Sequence, residues 1–290
     1  MLAKGRAALM VLWLVTATGI FVLQGCGEAE GADSTREAQV GKTTITQAEI
    51  ENRIAVESAY SNDSLPHHTA LAALINDALE WEVADSLGLV PDSMQVRAFI
   101  EHVETTTRAP EVLARVKQVF GADTAAYIRQ YLEPKIVAST LRGYQAYDTA
   151  IQSEGRGRIE KAYALVAEGS SFAEAAGMVD GSAEIDTLLR TDTVEGTPGA
   201  DLVRLAETLQ PGKLFDQVLE TAHVYFIVRL SGRDEKRLIV EQLFISKERY
   251  EDWLHRVARD LPISIRDKNV EAAIRKDHST LWWLEKNPGG

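Results

Sequence analysis

Between Arg158 and Gly232 the hydrophobic period of the chain changes, and that change limits the folds open to it. Ile159, Ala162, Tyr163 and Val166 recur at helical spacing and stop at Gly169. Ser171-Phe172-Ala173 then opens a polar region with turn residues. Asp201 to Leu209 carries a second short helical pattern, and Pro211-Gly212 marks a turn. Two apolar runs follow, Leu214 to Leu219 and Val224 to Leu230. This is an α+β order, and long helical segments flank it on both sides.

The N-terminus reads as a targeting segment. Lys4 and Arg6 form a basic start, and Ala7 to Val22 is an apolar stretch too short for a comfortable membrane span. Leu23-Gln24-Gly25-Cys26 follows. It resembles the bacterial lipobox, in which the cysteine is acylated and becomes the mature N-terminus, although Gln24 stands where a smaller residue is usual. The alternative is an uncleaved signal anchor with an incidental cysteine. Cys26 is the single cysteine of the chain, which excludes internal disulfides. Acylation at Cys26 implies stable membrane anchoring. The formal charge is -12, so a basic face for nucleic acid or anionic lipid is not expected.

Gly27 to Glu37 is small, polar and acidic, the composition of a flexible tether. Val40 to Ile45 reads as a short strand. Thr46-Gln47-Ala48-Glu49 is a capping-box pattern that starts a helix running toward Tyr60. Asn62-Asp63-Ser64 and Pro66 break it. The clearest helix carries Leu71, Leu74, Ile75, Ala78, Leu79 and Val83, with Gly88 suited to its left-handed cap. Trp81 reads as core. Further helices are expected around Val96 to Val103, Val112 to Phe120, and Asp123 to Leu141. Pro134 should bend or break the last of these, because it lacks a donor and crowds the preceding turn. Ser153 to Gly157 reads as a hinge.

After Gly232, Leu238 to Ile245 fits a buried strand by composition. Val240, Leu243, Phe244, Lys247, Tyr250, Leu254 and Val257 nevertheless keep one helical face, and the register predicts a single helix from about Asp234 to Arg259. Leu261 to Ile265 reads as a strand. Asp267 to Gly290 holds a last helical pattern and the pair Trp282-Trp283, read either as packing on the helical part or as a membrane-interface or client contact.

The strand and capped helix at Val40 to Glu49, the Leu87-Gly88-Leu89 helix stop and the α+β segment together resemble SurA-like and PrsA-like chaperones, which carry a parvulin-type peptidyl-prolyl isomerase domain. The resemblance implies a mainly α fold with a small α+β domain, that is, a SurA-like helical domain with a degenerate parvulin-like domain. It divides the chain into a signal peptide (1–25), a tether (26–38), a helical domain (39–155), a parvulin-like domain (156–233) and a C-terminal helix and strand (234–290) that complete the helical domain. Ile263 to Ile265 would then pair with Val40 to Ile45. The family's two catalytic histidines are not found. Asp148 to Gly157 holds none and is too short and polar for the strand that carries the first. Tyr225 is followed by Phe226 where the second would stand.

By resemblance, Phe172, Phe215, His223, Tyr225 and Phe226 would bind peptide, although ordinary core and an exposed turn histidine are the plainer readings of them. Met178 carries little information. His67-His68 with Asp63 could hold a metal only weakly, and Asp85 and Asp92 lack partners at ligand spacing. No catalytic residue, metal or cofactor is assigned. The expectation is a lipid-anchored, periplasm-facing folding factor, on the outer membrane rather than the inner, that binds unfolded or nascent envelope proteins with weak or lost isomerase activity. A structural or docking lipoprotein with no folding activity is the alternative.

Overall fold

The computed structural model describes residues 35–61, 64–191, 198–278 and 281–284. The stretch read as a signal peptide, Cys26, most of the stretch read as a tether, and Asp63 lie outside the described residues. Strand β1 (Arg36–Val40) begins inside the stretch read as tether. It turns at Gly41 into β2 (Thr43–Thr46). Gly41 has a φ of 53°, a left-handed value that suits glycine. Thr46 caps α1 (Gln47–Tyr60) through the expected capping box, with the Glu49 carboxylate accepting the Thr46 N–H at 2.9 Å.

Helix α2 (His67–Leu87) ends at Gly88, whose φ of 68° is the left-handed cap. Helices α3 (Ser93–Thr106) and α4 (Pro110–Phe120) follow, the first capped by Asp92 and the second opened by its own proline. Next comes the break that Pro134 imposes. A short α5 (Thr124–Tyr127) passes into a π-helical turn, Ile128–Leu132, and then into α6 (Glu133–Tyr147). Pro134 has no N–H to give to the preceding turn, and the Glu133 N–H reaches back five residues to the Ile128 carbonyl instead.

The second half begins with α7 (Ser153–Ala167), so the stretch read as a hinge is the first turn of a helix. Helix α8 (Phe172–Met178) is capped by Ser171 and Glu174. The polar region after it is strand β3 (Ser182–Leu189). Helix α9 (Pro198–Thr208), a two-residue β4 (Leu219–Glu220) and β5 (Val224–Arg233) follow. Strand β6 (Arg237–Ser246) makes a hairpin with β5 and also pairs with β3. The single helix expected from Asp234 to Arg259 is therefore a central strand followed by α10 (Tyr250–Val257). Strand β7 (Ile263–Ile265), α11 (Lys268–Asp277) and a 3-10 turn, Trp282–Leu284, close the described chain.

The expectation of a mainly α fold is overturned. The helices share the chain with two antiparallel sheets, a three-stranded β2-β1-β7 and a four-stranded β3-β6-β5-β4, so the architecture is mixed α+β. Strand β7 does return from the far end, but it meets the expected stretch only at Val40: Ala38, Gln39 and Val40 face Ile265, Ser264 and Ile263.

One core joins the first and last elements of the described chain. Val40, Ile45, Leu71, Ile75, Leu79, Leu141, Trp253, Ile274 and Trp283 are buried together in it. Each such side chain contributes about 1.5–3 kcal/mol by leaving water. Trp283 also donates its ring N–H to Asn76 at 2.8 Å, and Trp282 stacks on His255 with ring centres 4.8 Å apart. Both tryptophans thus pack back on the helical part. The four-stranded sheet has a core on each face. Tyr225, Ile227, Leu243 and Ile245 meet Ile159 and Val166 of α7 and Phe172 of α8 on one side, and Val228, Leu230, Leu238 and Val240 meet Val203 and Ala206 of α9 on the other.

Candidate functional site

The residues expected to bind peptide do not come together. Phe172 and Tyr225 are buried on the α7–α8 face of the sheet, whereas Phe226 lies on the opposite face, stacked on Phe244 at 5.8 Å. The Arg229 guanidinium, paired with Glu241, sits 4.8 Å above the Phe172 ring and closes it off. Half-buried Phe215 donates its N–H to the Val228 carbonyl at 2.8 Å, which lays it along the edge of β5.

His223 is exposed, on the turn between β4 and β5. It borders a recess of about 420 Å³ of mixed lining, with Ala146, Val224 and Tyr250 beside Arg142, Lys247, Glu248 and Glu251. Beside it, Lys247 is sealed between the Tyr147 and Tyr225 rings, 4.7 Å from each centre, and donates to the Ala146 carbonyl at 2.6 Å and to Glu220 at 2.8 Å. Tyr225 therefore belongs to a latch between α6 and the sheet. Met178 is exposed. His67 and His68 turn to separate partners, Gln47 at 3.2 Å and Asp277 at 2.8 Å.

A more promising site lies in the helical half. Strand β2, α1 and α2 form one wall of a groove of about 470 Å³, and the π-helical turn with the start of α6 forms the other. Its floor is apolar: Ile45, Leu74, Ala78, Trp81 and Pro134. Trp81 is half-buried, with part of its ring turned to the groove, rather than sealed in the core. Thr43, Thr44, Glu49, Arg129, Gln130 and Glu133 rim it. A smaller recess of about 190 Å³ adjoins it and shares Glu49, Leu74, Asp77, Gln130 and Pro134. The size is that of a site for a few side chains of a peptide or for a small molecule.

Each wall has a local cause. The Gly41 turn and the Thr46 cap fix β2 against α1. The proline-imposed π turn swings Arg129 and Gln130 toward the opening, and such turns recur at functional sites. The Asn52 amide donates to Gln130 at 2.9 Å and ties α1 to that turn. In the recess, Asp77 accepts from Arg53 at 2.9 Å. Burial pushes the Asp77 carboxyl above its usual range, with the Arg53 charge opposing the shift. Burial likewise raises Glu133, with Arg129 opposing. The Tyr60 and Tyr131 hydroxyls hydrogen-bond to each other at the far end. Burial and that bond raise Tyr131, which keeps the phenol neutral.

Comparison with models of known protein families and with curated proteins returns no match.

The chemistry of the groove is therefore argued from its own side chains. It offers an aromatic and aliphatic floor, hydroxyl and amide groups that can meet a peptide backbone, and carboxylates at the rim. The Thr46 hydroxyl donates to the Glu49 carboxylate at 3.0 Å as part of the helix cap, and no histidine lines the groove. Sequence reasoning passed over it because Trp81 and Leu74 sit in an ordinary helical stripe. Two signals were available: Asp77 among the apolar positions Leu74, Ile75 and Ala78, and the Pro134 break.

Proposed function

We propose that this protein is a lipid-anchored folding factor of the bacterial envelope that holds unfolded polypeptide without prolyl isomerase chemistry. The observation that carries this reading is the apolar groove floored by Leu74, Trp81 and Pro134 and rimmed by polar groups. Unfolded chains expose apolar side chains next to unpaired backbone groups, and this lining matches both.

Two further features support the resemblance to SurA-like chaperones. Strand β7 returns to pair with β1, and the four-stranded sheet lies between those two strands in the sequence. The place before α7, where the family carries its first histidine strand, is turn and helix here. His223 lies on an exposed turn beside a recess of mixed lining. Binding is thus favoured over catalysis. Anchoring through Cys26 and a periplasmic, outer-membrane location remain part of the proposal on the sequence pattern alone.

The test is suppression of aggregation of an unfolded outer-membrane protein diluted from denaturant. The wild-type protein should suppress it, without dependence on proline in the client, and Trp81→Ala should lose most of the effect while staying folded. No suppression by the wild type would overturn the proposal and leave a docking role.

A further inference from the structure

The four-stranded sheet has a short edge and a long one. At the short edge, two-residue β4 pairs with β5, and the backbone of Gly212 to Phe215 continues along it. At the long edge lies β3. Its inner side makes eight consecutive pairings with β6, and its outer side has no partner strand among the described residues. Seven of its eight residues are exposed. It contains neither lysine, proline nor bulge, and the charges it carries, Glu184 and Asp186, are both negative.

The direction of its backbone groups can be read off. Arg190, just after β3, donates its N–H inward to Lys236, just before β6, at 2.9 Å. The Thr187 N–H instead donates to the Asp186 carboxylate at 2.7 Å, so it faces outward. Alternation along an antiparallel strand then turns the N–H and C=O groups of Ala183 and Ile185 outward as well. Ile185 is 71% exposed, and Leu189 and Ile239 on the same face are 47% and 40% exposed. Glu184 and Asp186 point to the other face. An added strand would thus meet apolar side chains on one face and carboxylates on the other.

We infer that the outer edge of β3 adds an extended segment of unfolded polypeptide as a fifth strand, and that it selects segments alternating apolar and basic side chains. This deepens the proposed function and rests on it for the identity of the ligand as unfolded chain. The charges decide among occupants. A second copy of β3 would set Glu184 and Asp186 against their own counterparts, and like charges across a strand pair are unfavourable. The chain's own N-terminal segment, with Glu28, Glu30 and Asp33, is acidic too. A basic strand meets opposite charge and gains the outward hydrogen bonds at Ala183 and Ile185.

The test uses the full chain and two synthetic eight-residue peptides with the same apolar positions, one with lysine and one with glutamate at the alternate sites, followed by fluorescence anisotropy. The lysine peptide should bind at least about tenfold more tightly than the glutamate peptide. Ile185→Pro removes an outward donor that β6 does not use, so the fold should persist while lysine-peptide binding falls about tenfold or more. The pair Glu184→Lys with Asp186→Lys, both exposed, should reverse the peptide preference. Equal binding of both peptides, or undiminished binding by a folded Ile185→Pro protein, would overturn the inference. A dimer seen by sedimentation and lost in Ile185→Pro would give the edge to a second copy and overturn it as well. Failure of the wild type to suppress aggregation would instead defeat the proposed function, and is read separately from peptide binding.

Discussion

The Glu82 carboxylate holds Thr43 from across the fold: it accepts the threonine hydroxyl at 2.7 Å and the neighbouring Lys42 N–H at 3.0 Å. The contact fastens the β1–β2 hairpin to α2, and the hairpin supplies the Thr43, Thr44 and Ile45 side of the groove. Removing the acceptor leaves a part-buried N–H and hydroxyl without it. Glu82→Ala should cost about 1–3 kcal/mol in urea unfolding. Gly41→Ala should also destabilise, because its Cβ would fall 2.6 Å from a Glu82 carboxylate oxygen at a φ of 53°. Both changes should weaken client binding by loosening one wall.

The latch at Lys247 gives a second expectation. Its ammonium is almost wholly buried and serves the Ala146 carbonyl and Glu220. Lys247→Met keeps the stem and deletes the donor, leaving that carbonyl unmet. The loss should be about 1–3 kcal/mol, read as a lowered urea midpoint. Amide exchange should rise first at β4 and the end of α6.

Asp77 predicts a pH dependence. Its carboxyl is raised in the folded state by burial, so the folded protein holds that proton more tightly than the unfolded chain does. The resulting stability is fully present below the ordinary carboxylate range. It is lost as pH rises from there through the raised value. Asp77→Asn should flatten this part of the profile, measured as urea midpoint against pH. An unchanged slope would mean that Arg53 compensates the burial fully.

The absence of a histidine from the groove gives a kinetic expectation. Isomerisation of a proline-containing peptide should proceed at the uncatalysed rate in the presence of the protein, tens to hundreds of seconds at room temperature. A protease-coupled assay checks it, and an acceleration that disappears in His223→Ala would point back to the turn between β4 and β5.

The sequence told most where local chemistry decides the outcome. The Thr46 capping box, the Gly88 cap and the Pro134 break all describe the chain as it folds. It misled where two periods coincide. Val240, Leu243 and Phe244 fit a helix, and Tyr250 and Leu254 continue that register because α10 is a helix. But β6 is central and covered on both faces, so its apolar run lacks the alternation that marks a half-buried strand. Strand β3 hid for the opposite reason: both its faces are exposed, and its weak alternation of Ala183, Ile185 and Leu189 with Glu184 and Asp186 is interrupted by Thr187 and Leu188. The same rule scattered the expected aromatic site. Tyr225 and Phe226 are neighbours in sequence and so point to opposite faces of one strand. The groove needed the long-range approach of β2 to the π turn, which no short motif encodes.

The most direct measurement of the central claim is site-specific photocrosslinking from the groove. A photoreactive residue at Thr44, exposed on the groove rim, should capture an unfolded outer-membrane protein, while the same residue at exposed Met94 outside it should not. The folded form of the client should give no product at Thr44. Equal capture at Thr44 and Met94, or capture of the folded client, would contradict the account.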